Sequence, residues 1–296
     1  MSTAKKYAYA QATFAGFCSA LGTKPVPCSR ATILRYLVWL KCQKGLGGDA
    51  INGHVSAIRH LHLINGAEFE AIEDPRFPLA KRAVCKRDKP ADDRIPIGYG
   101  ALSLMFLGDV KSTAYDDLLF FTGALMAYCG FLRVSELCGK GGTQDAPGIR
   151  LRHLNLVDGT LRIAIEHSKT DRQNQGAYAH LTALKGNPCP MVLLKKFLSA
   201  RPPTERDSPL FIHQDRTPMS AVWFRKLLKQ KCEKTGICGK VNTHSLRIGA
   251  ASDAAAKGVA AHTIKTLGRW KSDSFQRYIR PSGASMASTL TTFATL

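Results

Sequence analysis

Acidic residues are scarce in this chain: 22 Asp and Glu stand against 42 Lys and Arg, a formal net charge of +20 at pH 7. No apolar run approaches the roughly 20 residues that a membrane-crossing helix needs, which excludes the helical membrane-protein class and leaves no membrane partner expected. The opening MSTAKKYAYAQATF has no apolar core of the signal-peptide kind, so the expectation is an intracellular protein. No C-x-x-C pair occurs among the nine cysteines, at 18, 28, 42, 85, 129, 138, 189, 232 and 238. An odd count without pairing spacing argues against a disulfide framework. Thiols such as Cys129 in LMAYCGFL read as buried and free in a reducing compartment. Cys232, Cys238 and His244 are neighbours in sequence, but they lack a fourth ligand and the compact spacing of a zinc site, so no metal is expected. A phosphate-cradling G-x-x-x-x-G-K-S/T loop, an internal repeat and low-complexity tracts are all missing, and no nucleotide cofactor is expected.

What is present starts with the charge. Residues 1–90 carry 14 basic and 6 acidic side chains, and residues 91–296 carry 28 and 16. A basic excess in both halves suits a polyanion that touches both, and double-stranded DNA leads the candidates. A length of 296 residues with 45% apolar content allows two domains, each with its own core.

The first 75 residues pattern as helices. ATFAGFCSALG reads as a short amphipathic helix ending at Gly22, and Ser29 is placed to cap RATILRYLVWLKCQKG. Asp49 is placed to cap AINGHVSAIRHLHLING, where Ile51, Val55, Ile58 and Leu61 recur near helical spacing and Arg59, His60 and His62 decorate the surface. CKRDKPADDRIPIGYG is charged and proline-bearing and reads as a linker, which divides the chain into domains at 1–88 and 89–296. Beyond it DDLLFFTGALMAYCGFLRVSEL reads as one strongly apolar helix with Arg133 near its end. Three β-patterned runs follow, IRLRHLNLV, TLRIAIE and GAYAHLTAL, the first two joined by an Asp158-Gly159 hairpin signal and the last two by HSKTDRQNQG. The chain is again helical after residue 188. The fold class is therefore mainly α (α+β), with a small antiparallel sheet in the second domain.

Several side chains suit cleavage of a phosphodiester without metal. Such a step needs fixed positive donors for the non-bridging oxygens, and the planar fork of arginine fits best. A tyrosine serves as nucleophile, a lysine as proton donor to the leaving alkoxide, and a histidine for proton movement or phosphate contact. Arg133 lies in CGFLRVSEL. Taken alone, the segment favours a surface i,i+3 pair with Glu136; against that stands the apolar company of LLFFTGALMAYCGFL, where a charge at the helix end must be deliberately paired. Lys169 occupies the HSKTDR loop tip, where taken alone an ordinary exposed lysine is the better reading. His244 and Arg247 share a face at a helix start, with Thr243 as candidate cap, near the positive end of the dipole. Trp270, after Gly268-Arg269, either packs or donates its indole N–H, and Tyr278 in SFQRYIR is flanked by Arg277 and Arg280.

The order of these residues says more than any one of them. Arg-x-x-Glu-Leu, a lysine in a β-turn, His-x-x-Arg, Gly-Arg-Trp and then Tyr, across some 145 residues, resembles the tyrosine recombinase (phage integrase) family. YLVWLKCQKGLGGDAINGHVSAIRHLHLINGAEF resembles the family's helical, SAM-like core-binding domain. GRWKSDSFQRYIR looks like the tyrosine motif of eukaryotic mobile-element and virus members. The resemblance implies a catalytic set of Arg133, Lys169, His244, Arg247, Trp270 and Tyr278, with Glu136 orienting Arg133. It implies that Tyr278 attacks a DNA phosphate and becomes joined to its 3′ end, while Lys169 protonates the departing 5′ oxygen. A homotetramer on paired recombination sites, no cofactor, and location in the nucleus of a eukaryotic host, or otherwise the cytoplasm or nucleoid, are also implied. The chain departs from most members in one respect: Tyr278 follows Trp270 by eight positions rather than nine. Two other functions fit parts of the pattern, a type IB topoisomerase-like strand transferase and a catalytically silent DNA-binding derivative.

Overall fold

The computed structural model describes residues 3–86, 93–109, 114–138, 148–166 and 176–280. The chain divides into two compact units, residues 1–92 and 93–296.

The first unit is helical: α1 (Thr3–Ala20), α2 (Arg30–Cys42), α3 (Gly48–Ile64) and α4 (Arg76–Val84). Ser29 caps α2 by accepting the Thr32 N–H at 3.1 Å, and Ile33, Leu37 and Leu40 point the helix's apolar stripe into a core with Phe14, Ile51 and Ile58. Tyr36 is fully buried, and its hydroxyl meets His54 Nδ1 at 2.8 Å. Three expectations are corrected. The first helix begins at Thr3, well before ATFAGF. Gly47, not Asp49, is the N-cap of α3, and Asp49 lies in its first turn, where its charge suits the dipole without a cap bond. His62 is not on a solvated face. It is 1% exposed, its Nε2 accepts the Cys28 N–H at 3.0 Å and its Nδ1–H donates to the Ile58 carbonyl at 2.9 Å. Both ring nitrogens of His62 are thus spent on locking the 28 turn to α3.

The second unit is built round α6 (Tyr115–Cys129), which is buried on all sides from Leu119 to Tyr128. A helix apolar around its whole circumference belongs in the middle of a bundle. Here α5 (Tyr99–Gly108), α8 (Pro190–Ala200), α9 (Ala221–Lys234) and α10 (His244–Ala256) belong to the same core cluster. Short helices α7 (Val134–Leu137) and α11 (Ala261–Leu267) complete it. The sheet is antiparallel in the order β1 (Leu154–Val157), β2 (Thr160–Ile165), β3 (Ala177–Leu181). Val157 pairs with Thr160 across a two-residue turn in which Asp158 and Gly159 take φ of 47° and 73°, the left-handed pair that Asp-Gly accommodates. Leu161, Ile163 and Ile165 form the buried face of β2. IRLRHLNLV is strand only from Leu154. His153 Nδ1 accepts the Arg150 N–H at 3.0 Å and closes a 3-10 turn over Leu151–His153. Among the described residues no helix is long and apolar enough to cross a membrane.

One buried charge ties the bundle together. Lys231 of α9, its side chain 5% exposed, reaches Asp109 and Asp117 at 2.5 Å each. Burial pushes the ammonium down, and the two carboxylates more than reverse that, so it stands above an ordinary lysine. Removing one partner of such a cluster leaves uncompensated buried charge. Lys231→Ala is expected to lower unfolding free energy by about 3 kcal/mol, measured by urea denaturation. A loss within 0.5 kcal/mol or so, as for an exposed pair, would refute this account.

Candidate active site

Arg133 owes its position to a chain reversal that the apolar pattern conceals. The expected single helix through VSEL is broken: α6 ends at Cys129, Gly130 caps it, and Phe131 adopts φ 49°. The chain then restarts as α7 with Arg133 as its N-cap, in extended conformation. Hydrophobic residues on both sides of the break hid it. Glu136 holds the corner by accepting the Arg133 N–H at 2.9 Å on Oε2 and Arg133 Nη1 at 2.7 Å on Oε1. Its side chain is 1% exposed. Burial pushes the carboxyl up, but the charges of Arg269 and Arg133 and the Arg133 N–H overturn this and hold it below the usual carboxylate range.

His244 opens α10. Asn242 Oδ1 accepts the His244 N–H at 2.8 Å and Ser245 Oγ accepts the Asn242 N–H at 3.1 Å. The helix start is therefore closed by Asn242 and Ser245. Thr243 occupies the N-cap position with helical angles and makes no side-chain cap bond, which corrects its expected capping role.

One turn on, Arg247 is 1% exposed. Its Nη1 donates to the Phe131 carbonyl and its Nη2 to the Gly268 carbonyl, and its guanidinium lies 4.0 Å from the Trp270 ring centroid and 5.8 Å from that of Tyr278. Its buried Nε has no hydrogen-bond partner. Burial, then the like charges of Arg133 and Arg269, push this guanidinium down to about 9. An anion beside it would act in the opposite direction.

Trp270 and Tyr278 arrive on the segment that follows α11. Gly268 lies under the Trp270 ring, so close that an added Cβ would sit 1.5 Å from a ring carbon. Glycine is the residue that fits there. Arg269 takes φ 55° and turns the indole inward, edge-on to Phe131 with ring centroids 6.2 Å apart. Tyr278 ends a 3-10 turn, Asp273–Tyr278. Its ring centroid is 5.2 Å from Trp270 and 6.3 Å from His244. Ser252 of α10 pins its main chain, donating to the Tyr278 carbonyl at 3.2 Å and accepting the Arg280 N–H at 2.8 Å.

The structure thus gathers Arg133, Glu136, His244, Arg247, Trp270 and Tyr278 in one cluster. Lys169 lies outside the described residues. The end of β2 leading toward it is anchored where Glu166 meets Arg152 Nη2 at 2.9 Å and His153 Nε2 at 3.1 Å. Another tyrosine, Tyr178, sits on β3 with Arg162 stacked 3.5 Å over its ring. One participant escaped the sequence reading. Arg269, read only as the neighbour of Trp270, donates to Glu136 Oε2 at 3.0 Å, Phe131 O at 3.1 Å and Gly130 O at 2.9 Å. The available signal was a charge set between Leu267-Gly268 and Trp270 in an otherwise packed segment. Among the described residues no group of three or more His, Cys, Asp or Glu side chains is placed to hold a metal ion.

Three arginines around one carboxylate, beside a tyrosine, form a site with surplus positive charge. Residues 104–283 match the model of the phage integrase family. The chain belongs to the phage integrase family. These are the tyrosine recombinases, enzymes that break and rejoin DNA.

Solved structures agree in fold. The Tn1549 transposon integrase in complex with transposon right end DNA is 15% identical with a TM-score of 0.63, over 99% of this chain and 100% of that one. XerH site-specific recombinase bound to difH substrate in a pre-cleavage complex is 14% identical with a TM-score of 0.61, over 93% and 74%. A lambda integrase dimer bound to a COC′ core site is 15% identical with a TM-score of 0.53, over 87% and 66%. A search of curated proteins finds no match.

Proposed function

We propose that the protein is a site-specific DNA recombinase working through a 3′-phosphotyrosyl intermediate, with Tyr278 as nucleophile. The observation that carries this reading is the joint anchoring of two arginines beside that tyrosine. Phe131 O accepts from Arg247, and the α7 corner two residues further on presents Arg133. Two guanidinium forks so fixed suit the two non-bridging oxygens of one phosphate, and each donor lost from such an arrangement costs about 3 kcal/mol of transition-state stabilisation.

In the cleavage step the Tyr278 oxygen forms a bond to phosphorus as the bond to the 5′ oxygen breaks. The phenolic proton leaves by way of His244, and Lys169 gives a proton to the departing 5′ oxygen. Phenol has an unperturbed pKa of about 10, so the neighbouring cations are needed to make it a nucleophile near neutrality. The Trp270 indole supports Arg247 from one face and holds the tyrosine turn. A 5′ hydroxyl from a partner strand then reverses the attack, and the bond energy is conserved in the phosphotyrosine.

On the same reading, residues 1–88 form the core-binding domain and 89–296 the catalytic domain, both of them basic and both binding duplex DNA. Four protomers assemble on paired sites. The test is a nicked suicide substrate, on which the protein should become covalently joined to DNA through Tyr278, mapped by peptide mass. Adduct formation should proceed in EDTA and without ATP, because cationic side chains take the place of metal at the phosphate. A strict divalent-ion requirement for cleavage would count against the mechanism.

A further inference from the structure

We propose that Arg269 is a positioning residue that sets the spacing of Arg133 and Arg247. This inference rests on the reading of the cluster as a phosphoryl-transfer site. Like Arg247, Arg269 is tied to the protein through both of its terminal nitrogens. Its side chain is 10% exposed, and its terminal nitrogens are spent on protein acceptors: Nη1 on Gly130 O at 2.9 Å and Leu267 O at 3.3 Å, Nη2 on Phe131 O at 3.1 Å and Glu136 Oε2 at 3.0 Å. Two of those acceptors, Glu136 and the Phe131 carbonyl, also hold Arg133 and Arg247. Glu136 receives Arg133 on its other oxygen, and the Phe131 carbonyl also receives Arg247. The preceding carbonyl, Gly268 O, takes the second nitrogen of Arg247. Arg269 is therefore the common strut between the α6–α7 corner and the segment leading to Trp270 and Tyr278.

Its charge has a second use. Glu136 with Arg133 alone would be a neutral pair with little left for an anion. A second guanidinium on the same carboxylate leaves Arg133 with surplus charge to offer a phosphate. The left-handed backbone at Arg269, φ 55°, is what turns its side chain back under the corner. A lysine at this position would keep the charge but span only one of the partners, since an ammonium lacks the planar fork.

The experiment uses the full-length protein and single-turnover cleavage of the nicked substrate, with DNA affinity and melting temperature measured alongside. Misplacing reacting groups by about an ångström costs on the order of 10²-fold, so Arg269→Met should slow cleavage about 10²-fold with DNA affinity unchanged. Arg269→Lys should recover part of that, to within about tenfold of wild type. In an Arg133→Lys background Arg269→Met should add less than about threefold, because residues acting through one another are not additive. Wild-type cleavage per folded molecule in Arg269→Met, or full additivity with Arg133→Lys, would overturn the proposal. If Arg269→Met does not fold, Arg269→Lys decides: cleavage slowed severalfold at unchanged melting temperature supports the role, and a wild-type rate overturns it. If wild-type protein forms no adduct, the recombinase reading fails, and orthovanadate binding by calorimetry then decides the strut. Roughly tenfold weaker binding by the variant keeps it, and equal behaviour of the two proteins removes it.

Discussion

Tyr278→Phe should yield no covalent protein–DNA adduct on a nicked substrate, while binding DNA within about twofold of wild type. The substitution removes one oxygen and keeps the ring, and the ring is what the fold uses. Its centroid lies 5.2 Å from Trp270 and 6.3 Å from His244. The main chain at 278 is pinned through Ser252, independently of the phenol. Melting temperature should therefore hold, and the loss should fall on chemistry. Normal adduct formation by the variant would remove Tyr278 from the mechanism. Attention would pass to Tyr178, whose ring lies on the sheet beneath Arg162 and which is poorly placed for the arginine cluster.

Much of the architecture was readable because local signals and tertiary packing agree. The Ser29 cap, the Asp158-Gly159 hairpin and the all-round apolar α6 each carry their structural cause in a few consecutive residues. The readings that failed share a different cause. The break between α6 and α7 lies inside a hydrophobic run, so periodicity passes straight through it. Only the left-handed Phe131 and the Glu136 carboxylate reveal it. His62 looked like one basic residue among three on a helix surface, and became structural because the 28 turn folds back onto it. Thr243 and Asp49 had capping chemistry at the right places, but Asn242 with Ser245 and the Gly47 backbone occupy those roles. Arg269 could not be found by spacing at all, since its meaning depends on carbonyls more than 130 positions earlier in the chain. The order of Arg133, His244, Arg247, Trp270 and Tyr278 was legible. The geometry that makes them one site was not.

Arg133→Lys and Lys169→Ala should both slow cleavage, and a sulfur-bridged substrate should tell them apart. Arg133→Lys keeps a positive charge at the α7 corner but loses the planar fork, one nitrogen of which reaches Glu136 at 2.7 Å. Loss of an oxyanion donor costs on the order of 10²-fold or more, and that is the expected deficit. Lys169→Ala fails for another reason, since the departing 5′ oxygen then lacks its proton. When the bridging 5′ oxygen is replaced by sulfur, the leaving thiolate needs no proton, because a thiol ionises near pH 8.5 or so rather than at alkoxide values. The sulfur substrate should therefore restore Lys169→Ala to near the wild-type cleavage rate and restore Arg133→Lys much less, since the charge on the non-bridging oxygens is unchanged. Arg133 sits where a rigid donor is needed: its backbone and side chain are both held by Glu136, itself buried and held by Arg269. Equal rescue of the two variants, or rescue of neither, would show that the roles of Arg133 and Lys169 are wrongly assigned even within the right family.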